Sequence, residues 1–129
     1  MEQVTINTAV NVKSGPLVKL DAEVDSSAYV VASLSLVKQA TADVTILPAN
    51  GKAALLVIQA RKDADQSAAK VEVTPTGTDP GSMFVVDGSL LVANPHVVSG
   101  LAKGGPQKLS VKNPGTDDVT VYILAAFNS

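Results

Sequence analysis

Apolar and polar residues alternate with a period close to two along most of the chain, as in β-strands that bury one face. The first alternating segment is VTINTAVNV, residues 4–12, which places Val4, Ile6 and Val10 on one side. Gly15 and Pro16 then interrupt the pattern. We therefore interpret residues 1–13 as an N-terminal strand or arm and residues 14–129 as the main domain.

The segment AYVVASLSLV, residues 28–37, is compatible with two secondary structures. Strict alternation indicates a strand, but Val30, Leu34 and Val37 also fit one face of a helix that Asp25 or Ser26 would cap. The β-branched and serine residues favour the strand.

Two turn signals and one doubly apolar strand organise the middle of the chain. PANG, residues 48–51, precedes AALLVIQA, residues 53–60, which is apolar on both faces and is therefore expected at the centre of a sheet. The pair Asp87-Gly88 within MFVVDGSLLVA is a strong signal for a two-residue hairpin turn.

The chain closes on KLSVKNPGTDDVTVYILAAF, residues 108–127, which we predict to be a second hairpin. Asn113, Pro114 and Gly115, together with Asp117 and Asp118, would form its solvated tip. The return strand would direct one set of alternating residues into the core: Val119, Val121, Ile123, Ala125 and Phe127.

These segments amount to eight or nine short strands at roughly 8–12-residue spacing. The expected fold is all-β, a single-domain antiparallel β-sandwich with either jelly-roll-like or immunoglobulin-like connectivity. A chain of 129 residues is long enough to form such a core without disulfides or a structural metal.

Composition excludes several classes of function. The chain has no cysteine, which rules out thiol catalysis and cysteine-ligated zinc. Its formal net charge of −2 provides no basic surface for nucleic acid. Its apolar runs are far shorter than the roughly 20 residues of a membrane span, and the N-terminus does not resemble a signal peptide. We expect no nucleic-acid or membrane partner and synthesis in the cytoplasm.

Candidate catalytic and metal-binding residues are few. His96 is the one histidine, and no acidic residue lies near it in sequence to orient it as a general base. Asp63 and Asp65 begin like a calcium loop but lack the glycine and glutamate that complete it. No phosphate-binding glycine motif is present. The sequence therefore predicts a protein that is not an enzyme, with no catalytic, cofactor-binding or metal site.

The outer face of the closing strand is the remaining signal. Tyr122, Leu124 and Ala126 alternate with the core residues and would face water in a two-layer sandwich. Either the N-terminal segment or a loop of the same chain covers them, or they form a subunit interface. We favour the oligomer interface.

The C-terminal third resembles a known class of proteins. FVVDGSLLVANPHVV, a glycine-rich bend and KLSVKNPGTDDVTVYILAAF resemble, over residues 83–127, the small tailed-phage virion proteins that decorate or cement capsids. Those proteins often end in a hairpin of the form S-V-x-N-x-x-x-x-x-V-T-V-x-I-L. LPANGKAALLVIQA adds to the likeness.

This resemblance implies a β-sandwich or jelly-roll-like cement protein, commonly a homotrimer, on the virion capsid surface with the major capsid protein as its partner. Val4, Ile6 and Val10 of the N-terminal strand would contact the capsid or a neighbouring subunit by strand addition. The alternative is a carbohydrate-binding or adhesin-like module, which would need Tyr29 and Tyr122 as its aromatic platform.

Overall fold

The computed structural model describes residues 2–11, 17–26, 28–46 and 52–128. The Gly15-Pro16 break and the turn at residues 48–51 lie outside this part of the chain. The described part contains one short helix, α1 (Pro95–Ser99), and the following strands: β1 (Glu2–Asn11), β2 (Leu17–Ser26), β3 (Ala28–Leu36), β4 (Thr41–Thr45), β5 (Lys52–Lys62), β6 (Lys70–Thr76), β7 (Phe84–Asp87), β8 (Ser89–Val92), β9 (Lys108–Lys112) and β10 (Val119–Asn128).

Eight of these strands form two antiparallel four-stranded sheets. The strand order is β3-β10-β5-β8 in one sheet and β4-β9-β6-β7 in the other. The pairs β3 with β10, β4 with β9, β5 with β8 and β6 with β7 are those of one long hairpin rolled into two layers. This order is the jelly roll, so the predicted all-β sandwich is confirmed and its connectivity is not immunoglobulin-like.

The ambiguous segment is a strand, β3, as predicted. It pairs along its length with β10, and the register places Val30 opposite Ala125 and Val31 opposite Leu124. Val30 packs against the core, whereas Val31 faces solvent. The doubly apolar segment is also where the sequence placed it, because β5 lies between β10 and β8.

The core lies between the two sheets and is made of alternate residues from each strand. Val121 and Ile123 of β10 are almost completely buried, as are Val111 of β9 and Val73 of β6. The five core residues predicted for the closing strand are all buried: Val119, Val121, Ile123, Ala125 and Phe127. The alternation of apolar and polar residues thus indicates which face of each strand is buried.

The prediction of a hairpin at Asp87-Gly88 is wrong. Asp87 pairs with Lys70 in one sheet, whereas Ser89 pairs with Gln59 in the other, so the chain changes sheets here. A type I′ turn needs positive φ at both central residues, but of the two only Gly88 has it, at 89°. At this change of sheet, the N–H of Gly88 donates to the carbonyl oxygen of Ala69 at 2.8 Å.

The prediction of a hairpin at the end of the chain is also wrong, because here too the chain changes sheets. β9 and β10 belong to different sheets, and residues 113–118 cross between them. Asp117 and Asp118 are exposed, as expected, but Asn113 is buried. Its Nδ2 donates to the carbonyl oxygens of Leu36 at 3.1 Å and Asp117 at 2.7 Å, while its Oδ1 accepts from Gly115 N–H at 3.0 Å. Asn113 therefore ties the crossing to the end of β3.

β1 and β2 form a separate two-stranded sheet. They pair antiparallel from Glu2 opposite Ser26 to Asn11 opposite Leu17. The N-terminal strand expected within residues 1–13 is thus half of a hairpin whose second half is β2. Val4, Ile6 and Val10 lie in β1, and their side chains are outside the described part of the structure.

Replacing Asn113 by alanine is expected to destabilise the fold by about 1–3 kcal/mol, because buried backbone groups lose their partners. Chemical denaturation measures the change. Thr116→Ala, in the exposed part of the same crossing, is the matched control and should be nearly neutral. Equal stability of the two variants would contradict the role assigned to Asn113.

Candidate interaction surface

The outer face of the β3-β10-β5-β8 sheet carries one row that is apolar on all four strands. Leu124 of β10 is paired with Val31 on one side and Val57 on the other, and Val57 is paired with Leu91. Alternate residues of paired strands share a face, so these four side chains lie next to one another. We call Val31, Leu124, Val57 and Leu91 the apolar stripe.

The apolar stripe is accessible in the single chain. Val31 is 67% exposed and Leu91 is 39% exposed, whereas Val57 and Leu124 are half-buried. Together with Tyr122 they line a shallow groove of about 270 Å³. Exposed valine and leucine side chains are common singly, but a continuous row across a sheet is typical of an interaction site.

The residues on either side of the stripe differ in polarity. Towards one end, the next rows contain Ser33, Gln59 and Ser89, then Ser35, Thr120 and Arg61, with Tyr122 as the one aromatic residue. Towards the other end, Tyr29, Ala126 and Leu55 are paired. The outer face therefore changes along the strands from polar to apolar, and the stripe lies in its apolar half.

The three residues predicted as an oligomer interface share this face but differ in burial. Tyr122 is 48% exposed and Leu124 is half-buried. Ala126 is fully buried within the single chain, where it packs with Leu55, Ala93 and Leu124. Because Ala126 exposes no surface, it is not available to a second chain, and the interface remains a prediction for Tyr122 and Leu124.

The cover over Ala126 includes elements of the same chain. β2 contacts both β10 and β5. Leu55 on β5 is buried beside Ala126. One of the two coverings considered from the sequence, a segment of the same chain, thus applies to this end of the sheet, whereas the stripe stays accessible.

Three stripe residues were missed by sequence reasoning. Val31 lies among Tyr29, Ser33 and Ser35 on the mainly polar side of its strand, so alternation alone marks it as an ordinary exposed residue. Val57 lies in the segment that is apolar on both faces, and Leu91 lies in the short apolar run after Gly88, so neither stands out as a surface residue. Only the register, which aligns all three with Leu124, makes them a surface.

His96 lies in the first turn of α1. Its backbone N–H donates to Oδ1 of Asn94 at 3.0 Å, which is the capping bond of the helix. The side chain is exposed, and no ion pair with an acidic residue forms among the residues the structure describes. His96 therefore lies in the first turn of α1, which Asn94 caps.

The side chains of Asp63 and Asp65 both accept hydrogen bonds. Oδ1 of Asp65 accepts from both the N–H and the hydroxyl of Ser67, at 3.0 and 2.6 Å. The hydroxyl bond is the main reason why the pKa of Asp65 is lowered. Asp63 accepts from the hydroxyl of Thr120. Within the described ranges, no group of three or more histidine, cysteine or acidic residues is arranged to bind a metal.

A second cleft, of about 350 Å³, lies where the β9–β10 crossing meets β5 and β6. Lys62 and Asp117 form an ion pair across it at 3.4 Å, and both side chains are substantially exposed. Exposed pairs of this kind contribute at most about 1 kcal/mol. Its lining includes Lys62, Lys70, Thr116 and Asp117 together with the loop residues of the crossing.

Among the residues that are described, no helix has the length and hydropathy to cross a membrane.

Comparison with known proteins gives distant similarity to solved structures. No protein-family model matches the chain, and no curated protein matches it significantly. A solved structure described as "Schizosaccharomyces pombe Cnp3 Cupin Domain" aligns with 95% of this chain and 83% of that chain, at 14% sequence identity and a TM-score of 0.42. Similarity at this level supports no inference about function, and the jelly-roll assignment rests on the strand order itself.

Val31→Asp is expected to weaken self-association by roughly 100-fold while the chain stays folded, since burying an unpaired charge costs several kcal/mol. Val31 is the better position for this test than Leu124, which packs on the Leu55 and Ala126 cluster. Analytical ultracentrifugation measures the association. Ser35→Asp, exposed on the polar part of the same face, is the matched control. Equal association of both variants would contradict the role of the stripe.

Proposed function

We propose that the protein is a non-enzymatic virion structural protein that decorates or cements a phage capsid as a homo-oligomer, with a trimer favoured. The observation that carries the proposal is the apolar stripe, a continuous accessible row on an otherwise well-packed jelly roll. The resemblance of residues 83–127 to capsid decoration proteins supplies the biological setting.

The proposed mechanism is burial of surface. Transfer of a valine or leucine side chain from water into an apolar interface yields about 1.5–3 kcal/mol when burial is complete. The stripe residues begin partly buried, so each contributes a fraction of this value. An oligomer then binds several capsid subunits at once, and each further contact gains from the high effective concentration that the first contact creates.

The fold suits this role physically. The two sheets are held together by a core of valine, leucine, isoleucine and alanine, so the surface they present is pre-organised. Binding therefore costs little conformational entropy in the sandwich. Non-covalent decoration by such a module requires roughly 800 Å² of contact surface per partner for stable attachment.

Capsid particles that lack the chain provide the test of the proposed function. Added wild-type protein is expected to co-sediment with purified particles of the phage that encodes it and to raise their melting temperature by several degrees, through preferential binding to the assembled shell. Differential scanning fluorimetry of the particles measures the shift. Bovine serum albumin at equal concentration is the control for non-specific stabilisation. Absence of both co-sedimentation and stabilisation would contradict the proposal.

A second candidate, a carbohydrate-binding or adhesin-like module, is favoured by one observation. Tyr29 and Tyr122 are both about half exposed on the same sheet face. They are separated by four residue positions on paired strands, roughly 13 Å, with the stripe between them. Aromatic side chains at such a spacing offer two stacking surfaces to a sugar chain.

A glycan array separates the two candidates. Capsid decoration predicts no glycan binding, whereas a carbohydrate module predicts binding that Tyr122→Ala abolishes. A silent array removes the second candidate. Glycan binding that depends on Tyr122, without capsid association, would replace the first.

A further inference from the structure

We draw no further inference here: the strongest candidate, the apolar stripe on the outer face of the β3-β10-β5-β8 sheet, is the surface on which the proposed function already rests, and nothing in the described part of the structure shows what covers it.

Discussion

The two central strands of one sheet, β5 and β10, carry apolar side chains on both faces, and the packing of the inner face holds the structure together. Their inner residues, such as Ile58 and Ile123, are buried against the opposite sheet and hold the roll together. Their outer residues, Val57 and Leu124, are apolar as well, which is unnecessary for a sheet that faces water. This second apolar face is the basis of the proposed assembly, because the core does not require it and solvent does not favour it.

The apolar stripe is carried by strands whose opposite faces form the core. Ile58 and Ile123, the chain neighbours of Val57 and Leu124, are buried between the sheets. Covering the stripe would therefore gain apolar burial at little cost in conformational entropy.

Much of the sandwich could be predicted from the sequence, since period-two alternation reports which residues leave water. The core residues of β10 and the central place of β5 follow from it. The sheet changes at Gly88 and at Asn113 did not, because a turn motif reports local bending and not the sheet in which the next strand pairs. The sequence suggested that Asn113 is a solvated turn residue. Its side chain is instead buried, and its Nδ2 donates to the carbonyl oxygens of Leu36 and Val37, which are distant in sequence. Likewise, Val31 gained significance only through its partner Leu124, which no local pattern reveals.

The central claim is that another copy of the chain covers the apolar stripe. The most direct measurement is the molar mass of the unmodified protein by sedimentation equilibrium over a wide concentration range. The account predicts a mass that is a whole multiple of the 13.2 kDa chain, threefold for the favoured trimer, and that decreases on dilution as the interfaces separate. A mass of one chain at the highest concentrations would contradict it.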